Sequence, residues 1–580
     1  MGANRNKAKT TATALACSIA MLLPGCHIPD LRGPQPAQPT PQTFNGDNFN
    51  AEVSCANSAH LGIDQFFTDP ILISLVHQGL SGNQELKILN EEIQIANNEV
   101  RRRRGAIFPF VTLGGGVGID RPGEFTRAGA VESQLEVAPG RGFPDPLPNF
   151  MTAADVSWQV DIWRELRNAR DAQVLRFLGT IDGRNYTVTR LVAEISENYY
   201  QLLALDMRLE NLTVTIELQE KSLDIAKARK EAARGTELAV QRFQAEVQRN
   251  KSDLFIIQQQ IIEVGNRINF LLGRYPQAVE RYRGNFFDLE LPAIHVGVPS
   301  QLMLNRPDIR QAERELQAAG LEVKVARARF FPALRIRAGI GYEAFNPRYL
   351  FQTPESLAYN VAGDLVAPLI NRSAIKADYM NANAEQLQRL YDYQRTILNA
   401  FTEVINRVTR VDNYTKSIAY KRQQLASLEA SVAAASSLFQ NARAEYVDVL
   451  LALRDTRDAR NDLIEAKREQ LSAIVNAYQA LGGGWQMSPQ GVPAAMVAPM
   501  VAPVEVIEPV QPNELPDPVE TSDLEEAPAP PGDDDESLTV PEFSKAGTES
   551  LEIAESMEEP PVPEELAAET ADPQFEEISR

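Results

Sequence analysis

Few residues of this sequence have the type and spacing that catalysis or metal binding requires. The 580 residues include three cysteines and four histidines, and Cys17, Cys26 and Cys55 all lie near the start. Neither a disulfide framework nor a Cys-x-x-Cys zinc site is therefore available to the rest of the chain. The histidines are too scattered for metal ligation, and HExxH, GxSxG and GxxxxGK[ST] are absent. We expect no enzyme, no metal site and no cofactor.

Cys26 has the surroundings of a lipid attachment site. A basic start and an uncharged apolar stretch at residues 11–23 have the pattern of a secretion signal, residues 1–25. The sequence Leu23-Pro24-Gly25-Cys26 that closes it is similar to a bacterial lipobox, in which the cysteine thiol accepts diacylglycerol. His27 stands where an aspartate would retain a lipoprotein at the inner membrane. We expect an outer-membrane lipoprotein anchored through Cys26, with an ordinary signal peptide and a chance cysteine as the alternative.

The net charge of −21 is concentrated at one end of the chain. Residues 486–580 contain 24 acidic residues against two basic ones, and they hold 16 of the 37 prolines. This composition predicts a disordered acidic tail. The preceding body is nearly neutral, which argues against a nucleic-acid partner held by attraction to phosphates.

The dominant pattern is a seven-residue repeat with apolar residues spaced alternately three and four positions apart. Four segments carry it, and their first and last apolar residues are Val188 and Leu223, Val240 and Leu271, Leu387 and Phe439, and Leu450 and Leu481. A strict heptad predicts helices that supercoil around one another. The third segment would be roughly 80 Å long at 1.5 Å per residue, longer than helices of an ordinary globule.

Four shorter segments instead alternate apolar and polar residues, as strands with one apolar face do. They lie at about residues 108–119, 150–162, 331–343 and 358–370. Such segments are typical of transmembrane β-barrels, although a soluble half-buried sheet looks similar. Four strands cannot close a barrel, and open edges in hydrocarbon leave backbone groups unpaired. We therefore expect copies of the chain to assemble into a barrel of eight or twelve strands, of which only the larger has room for a lumen.

The chain repeats one order of elements twice. Phe108-Pro109 recurs as Phe331-Pro332, each time between a helix and a strand, and residues 236–240 recur as 445–449 at the break between paired helices. Each half thus has a helix, two strands and two long helices. A basic run at residues 101–104 precedes the first Phe-Pro pair. Its repeated place at a helix end predicts contact with lipid headgroups, with a nucleic-acid patch as the alternative.

Three motifs are distinctive. They are Leu304-Asn305-Arg306-Pro307-Asp308-Ile309-Arg310 followed by Phe331-Pro332, Tyr478-Gln479-Ala480-Leu481-Gly482-Gly483-Gly484-Trp485 at the end of the last helix, and Cys26 followed by Pro29-Asp30-Leu31. These motifs resemble the TolC-like outer-membrane efflux proteins, and within them the lipoprotein branch that serves resistance-nodulation-division pumps. The resemblance spans residues 26–485 and stops at the tail.

The resemblance implies an α+β membrane protein with four transmembrane strands and two pairs of long coiled-coil helices per chain. It implies a homotrimer whose twelve-stranded β-barrel continues into a twelve-helix α-barrel in the periplasm. It further implies a passive exit duct, joined through a periplasmic adaptor protein to an inner-membrane efflux pump. The lipid bilayer is then a partner, and no chemical step is expected.

The turns between paired helices are where the resemblance places the periplasmic gate. The family's tip motif matches residues 447–452, so Asp448 is the residue carried over to a ring of carboxylates that favours cations. A plain helix-start residue is the alternative for Asp448, because an acid near a helix N-terminus is favourable anyway. The adaptor-contact tips would be Thr236, Glu237, Leu238, Glu445, Tyr446 and Val447, with simple capping and turn chemistry as the alternative.

The expected organisation has six parts. They are a signal peptide (1–25), a lipidated N-terminal segment (26–62), a first repeat (63–273), an equatorial connector (274–303), a second repeat (304–485) and the acidic tail (486–580). Two other functions stay open at this point. One is type I protein secretion by the same fold, and the other is a structural coiled-coil protein of the envelope, for which the repeated strands would have no use.

Overall fold

The computed structural model describes residues 28–36, 38–46, 49–50, 56–282, 284–368, 372–441 and 443–485. Its main elements are α1 (Pro70–Gly82), α2 (Gln84–Gly105), β1 (Phe110–Asp120), β2 (Leu147–Val160), α3 (Glu165–Glu231), α4 (Glu237–Leu271), α5 (Pro307–Ala328), β3 (Ala333–Ala344), β4 (Leu357–Val366), α6 (Ser373–Gln440) and α7 (Tyr446–Ala480). Short helices and 3₁₀ turns are found at Ser58–His60, Ile63–Phe66, Arg127–Glu132, Phe286–Asp288, Pro299–Gln301 and Leu302–Asn305, and two-stranded ribbons pair Asn45–Gly46 with Phe49–Asn50 and Glu136–Ala138 with Arg141–Gly142.

The four long strands form one antiparallel sheet in the order β1-β2-β3-β4. Side chains alternate between the two faces of a strand, and the register of this sheet pairs apolar residues with apolar ones and polar residues with polar ones across the strands. One row across all four strands is Val111, Val156, Ala338 and Val361, and the next row is Thr112, Asp155, Gly339 and Asn360. The sheet therefore has one apolar face and one polar face, as the alternation predicts. The apolar side chains at its edges, Val111 and Val361 among them, are exposed in the single chain.

Two helical hairpins extend from this sheet. Helices α3 and α6 have 67 and 68 residues, so each is roughly 100 Å long. Helix α4 returns along α3, and α7 returns along α6. All four heptad segments lie within these helices, and the predicted fold class of a repeated two-strand, two-helix unit is confirmed. No helix among the described residues combines the length and the hydropathy that a membrane-spanning helix needs.

Both long helices begin earlier than their heptads. Helix α3 starts at Glu165, before the first heptad residue Val188, and α6 starts at Ser373. These early turns pack against α5 through small and polar side chains. Gly179, for example, lies 3.6 Å from the Cβ of Arg314, measured from the position a Cβ would take. Asp182 is buried there, and its carboxylate contacts Arg310 at 3.1 Å.

The largest core lies halfway along the hairpins, where the connector crosses them. The Tyr199 hydroxyl donates to the buried carboxylate of Asp69 at 2.5 Å, and the Tyr282 amide donates to the same hydroxyl at 3.0 Å. Burial and the Asp69 carboxylate raise the pKa of Tyr199 above its usual value. Arg281 of the connector also pairs with Asp206 on α3 at 3.1 Å. These contacts hold residues 274–303 against the middle of the helices.

The two most distinctive sequence motifs meet beside this core. Arg306 is buried, and its guanidinium donates to Asp308 at 2.7 and 3.0 Å, to Glu403 at 2.9 Å and to the carbonyl of Ala480 at 2.8 Å. One side chain therefore joins the start of α5, the side of α6 and the end of α7. The buried guanidinium thus has two carboxylate partners, Asp308 and Glu403, and Glu403 also lies 3.9 Å from Arg407.

The glycine-rich end of α7 closes onto the same place. Gly482 has a φ of +92°, and an added Cβ would approach the carbonyl oxygen of Asn305 to 2.5 Å. Only glycine adopts this conformation and leaves that space without strain. The indole of Trp485 then donates to the same carbonyl at 3.0 Å, and Arg310 lies over its ring. The motifs are thus a structural joint within the second repeat, where the start of α5 meets the end of α7.

The N-terminal segment follows α6 from the sheet end towards the middle. Ile28 packs in a cluster with Phe330 and Tyr379, where α5 and α6 approach the sheet. Phe44 stacks on Phe401 at a centroid distance of 5.3 Å and belongs to a second apolar cluster with Val404 and Leu481. The predicted signal peptide, Cys26 and the acidic tail lie outside the described residues.

Candidate functional site

The turns that end the two hairpins lie side by side. Helix α3 ends at Glu231 and α4 begins at Glu237, while α6 ends at Gln440 and α7 begins at Tyr446. Apolar residues from all four helices form one cluster here, which we name the tip cluster: Leu223, Ala226, Val240, Phe243, Phe439, Val449 and Leu453. The structure therefore brings the predicted gate residue and the predicted adaptor-contact residues of both repeats to one end of the molecule.

In the first turn, capping chemistry fixes the start of α4. The Thr236 hydroxyl accepts from the Ala239 amide at 3.3 Å, which satisfies a backbone donor that the helix leaves free. Glu237 is exposed and forms an ion pair with Lys230 across the turn. Hydrogen bonding from Gln241 and from Lys230 lowers the pKa of Glu237. Leu238 is 57% exposed, although it is a large apolar residue.

In the second turn, Glu445 and Val447 are exposed, whereas Tyr446 packs against Phe243 of the tip cluster at a ring distance of 6.5 Å. Asp448 is exposed in the first turn of α7, and its Oδ2 accepts from the Glu445 amide at 3.2 Å. The capping role expected as the alternative is thus present. It leaves the carboxylate at the surface with its charge, so a gating role is compatible with it.

Arg229 joins the two tips and was not anticipated from the sequence. It lies in the last turn of α3, and its Nη1 donates to the carbonyl of Phe439 at 3.1 Å. Its guanidinium also lies 4.5 Å from the centroid of the Phe439 ring. A cation over an aromatic face adds roughly 0.5–2 kcal/mol depending on exposure. Movement of one tip relative to the other would have to break this contact.

A buried polar layer lies above the tip cluster. Arg457 of α7 donates to Asn250 of α4 at 2.7 Å, and Asn250 donates to Gln219 of α3 at 2.6 Å. All three residues stand at heptad positions where the pattern calls for an apolar side chain. A polar residue at such a position specifies the register of packed helices. Gaps in the heptads were the sequence signal that could have identified this layer.

Among the described residues, no group of three or more histidine, cysteine, aspartate or glutamate side chains is arranged to hold a metal ion. The tips instead present capped helix starts, exposed carboxylates and exposed apolar residues. Such surfaces suit contact with a protein partner. The sheet at the other end presents the apolar face that a membrane requires.

A membrane sheet continued by helical hairpins of about 100 Å defines a class of protein that links a bilayer to a distant compartment. The chain matches the outer membrane efflux protein family over residues 75–274 and 298–483, and it belongs to that family. It is an outer-membrane protein that serves as the exit channel of an efflux system, which confirms the leading prediction of location and function.

Similar proteins extend the match over most of the chain. It is 25% identical to the cation efflux system protein CusC of Escherichia coli O6:H1 over 469 residues, 81% of this chain and 98% of that protein. It is 28% identical to the pyoverdine export outer membrane protein OpmQ of Pseudomonas aeruginosa over 349 residues, 60% of this chain and 73% of that protein. The open state of the MtrE outer membrane channel of Neisseria gonorrhoeae matches with a TM-score of 0.67 and 20% identity, over 80% of this chain and 99% of that one.

Proposed function

We propose that three copies of the chain form a passive duct, with a twelve-stranded barrel in the outer membrane and a twelve-helix tunnel in the periplasm. The observation that carries this proposal is the open sheet. Strands β1 and β4 each have one edge without a partner strand among the described residues. Unpaired backbone groups cost several kcal/mol each in hydrocarbon, and closure through neighbouring copies removes that cost. Three copies also leave a lumen wide enough for cargo.

The six exposed or half-exposed tip residues would receive the periplasmic adaptor. They are Thr236, Glu237, Leu238, Glu445, Tyr446 and Val447. Exposed Leu238 and Val447 supply apolar contact area, and Glu237 and Glu445 supply charge that selects the partner. The inner-membrane pump supplies the energy, since the chain carries no motif for chemical work.

Asp448 would form a ring of three carboxylates at the narrow end of the tunnel. Like charges held close in a confined opening attract cations and repel anions. Leu451 stands where a second acid of the family motif would lie, so this ring has one carboxylate per chain. We propose that the ring favours cation entry when the tips are closed.

Cys26 would carry the lipid anchor. Ile28, two residues further on, packs where α5 and α6 approach the membrane sheet. A lipid on Cys26 therefore lies within reach of the bilayer in which the sheet is placed. Two or three acyl chains bind a membrane stably, whereas a single chain binds it reversibly.

The cargo is proposed to be small molecules or ions, with type I protein export as the alternative. The similar proteins named above differ in cargo, since one is named for cations and the other for pyoverdine. The motif at Leu304–Arg310 marks the efflux branch in sequence. A strain that lacks the gene distinguishes the two functions. Greater susceptibility to dyes, antibiotics or metal salts supports efflux, whereas loss of a secreted protein supports type I export.

Native mass spectrometry of the full-length protein and planar-bilayer conductance test the duct and its gate. We expect a trimer with small, cation-selective currents. Asp448→Asn removes the charge but keeps a capping oxygen, and Asp448→Ala removes both. Both variants should lose cation selectivity to the same extent, while Asp448→Ala should lower stability more than Asp448→Asn, because it removes the capping oxygen as well as the charge that favours the helix N-terminus.

Glu445→Gln is the matched control, because it removes a neighbouring exposed charge from the same turn. We expect its selectivity to stay close to that of the wild type. A protein that is monomeric and never conducts would refute the duct. Currents with unchanged ion selectivity in Asp448→Asn would refute the carboxylate ring alone and leave the duct standing.

A further inference from the structure

The helices that lead into the sheet carry matching basic residues in both repeats. The alignment of Phe108 with Phe331 also aligns Arg101 with Lys324 and Arg104 with Arg327. We name these the four junction residues. Each pair is spaced by three positions, so both members lie on one side of their helix. All four side chains are exposed.

The four junction residues differ from neighbouring arginines, which form ion pairs on the same helices. Arg102 and Arg103 pair with Glu99, and Arg329 pairs with both Glu165 and Asp378. For the junction residues, no ion pair is found within the part of the chain that the structure describes. Their charges are therefore available to an external anion.

Aromatic residues place the junctions at the boundary of the membrane. Trp158 lies on the apolar face of β2, and its Nε1 donates to the carbonyl of Ile107 at 2.9 Å, just beyond α2. Trp163 donates to the carbonyl of Pro332 at 2.8 Å and stacks on Phe331, just beyond α5. Tryptophan concentrates at the headgroup level of a bilayer, where its ring is half in apolar and half in polar surroundings. The junction residues are one to two helical turns further from the sheet.

The N-terminal segment marks the same level independently on the second junction. Ile28 packs against an apolar cluster that includes Val323 and Ala326, the residues directly before Lys324 and Arg327 on α5. If Cys26 is lipidated as proposed above, its acyl chains enter the bilayer beside these two residues. An acyl anchor beside basic residues is a combination that binds anionic membranes more strongly than either part.

We propose that the four junction residues bind the headgroups of anionic phospholipids in the periplasmic leaflet of the outer membrane. Arginine presents donors in a planar fork that fits two phosphate oxygens, and lysine adds a compact charge. Both side chains extend far enough to reach headgroups while their apolar stems stay near the helix. In a closed barrel the repeated positions would surround the channel with a basic ring, fixing its height and tilt in the membrane.

Lipid titration of the full-length protein in detergent tests the proposal. Bound lipids are counted by native mass spectrometry, with palmitoyl-oleoyl phosphatidylglycerol compared against phosphatidylcholine of the same acyl chains. The test variant replaces the four junction residues with glutamine. The matched control replaces four exposed basic residues towards the tips, which also have no ion pair in the described structure: Lys221, Arg234, Arg242 and Arg249.

We expect wild type and control to prefer phosphatidylglycerol and the test variant to lose at least tenfold in that preference. Each basic residue near an anionic surface contributes a factor of about five at moderate salt, so four leave a wide margin. Raising the salt should weaken the preference in the wild type. A variant with arginines 101, 104 and 327 changed to lysine keeps the charge and should retain most of it.

No preference in the wild type, or an undiminished one in the test variant, overturns the proposal. If the four charges instead pair with carboxylates of a neighbouring copy, the test variant would dissociate while its lipid preference stayed unchanged, which also overturns it. Should the test variant fail to fold, Arg101→Gln with Arg104→Gln and Lys324→Gln with Arg327→Gln are measured separately. Each double variant is expected to lose part of the preference for phosphatidylglycerol. If both double variants keep the full preference, the proposal is refuted. Trimer formation and conductance are recorded in parallel, so a failed duct and a failed lipid site give different results.

Discussion

Replacing Arg306 with alanine should destabilise the protein more than the loss of any exposed arginine. The Arg306 side chain is only 4% exposed, and it joins α5 to α6 and α7 through Asp308, Glu403 and the Ala480 carbonyl. Burial alone would lower the pKa of Arg306, but the hydrogen bond and charge of Asp308 together with Glu403 raise it above its usual value. The guanidinium therefore stays charged throughout the pH range of any assay.

The magnitude follows from what remains after the substitution. Asp308 would lose the one ion pair it forms among the described residues, and Glu403 would keep only the 3.9 Å contact with Arg407, although both carboxylates are partly buried. Removing one partner of such a buried pair typically costs about 3–5 kcal/mol. Arg395→Ala is the control, because Arg395 is 80% exposed and pairs with Asp392 at 2.9 Å. A surface pair of this kind contributes roughly 0–1 kcal/mol.

Thermal unfolding of the detergent-solubilised protein, followed by circular dichroism, measures both variants side by side. We expect a large fall in the midpoint for Arg306→Ala and almost none for Arg395→Ala. Adding Glu403→Gln to Arg306→Ala should restore part of the loss, since it removes a carboxylate that would keep only its longer contact with Arg407. Equal midpoints for the two arginine variants, or no rescue by Glu403→Gln, would contradict the assigned role of the buried ion pairs.

Three further substitutions test other parts of the structure. Gly482→Ala should lower the free energy of unfolding by roughly 2 kcal/mol or more, because its φ of +92° and the Asn305 carbonyl exclude a side chain. Gly265→Ala is the control, and with open space around it this change should be neutral or stabilising. The midpoints of thermal unfolding distinguish the two variants. Burial lowers the pKa of Lys467, so Lys467→Met should stabilise by roughly 1 kcal/mol near pH 7. The Lys467 amine binds its proton more tightly in the unfolded chain than in the folded one, so the wild type gains stability as the pH rises towards 10. The difference in free energy of unfolding between Lys467→Met and the wild type should therefore narrow over that range, and an unchanged difference would contradict the prediction. Arg229→Ala should enlarge the single-channel conductance by freeing the tips from each other, whereas Arg242→Ala on the exposed side of α4 should leave it unchanged.

The sequence determined the elements and their repetition, because both depend on local pattern. A heptad of apolar residues is favourable only on a supercoiled helix, so the segments from Val188 to Leu223 and from Leu387 to Phe439 could be assigned without a structure. Strict alternation likewise assigned the strands and the apolar face that the register confirms. The repeat then predicted that the halves would match, and the motifs predicted the family.

The sequence did not determine where the long helices begin. Residues 165–187 of α3 contain the buried Ala172 and, at contacts with α5, Gly179 and Asp182, and these small or polar residues carry no apolar periodicity. Their burial depends on a neighbour that lies far along the chain. The path of the N-terminal segment along α6 escaped sequence analysis for the same reason.

The tertiary structure alone decided which polar residues are buried together. Arg306 was visible as part of a motif, yet its partners Glu403 and Ala480 are distant in sequence, and only folding brings them within hydrogen-bond distance. Gln219 and Asn250 looked like interruptions of their heptads until the helices were placed side by side. Apolar burial is coded position by position along one element, whereas a buried polar group is stable only when a particular partner arrives from another element. That requirement can be checked only in three dimensions.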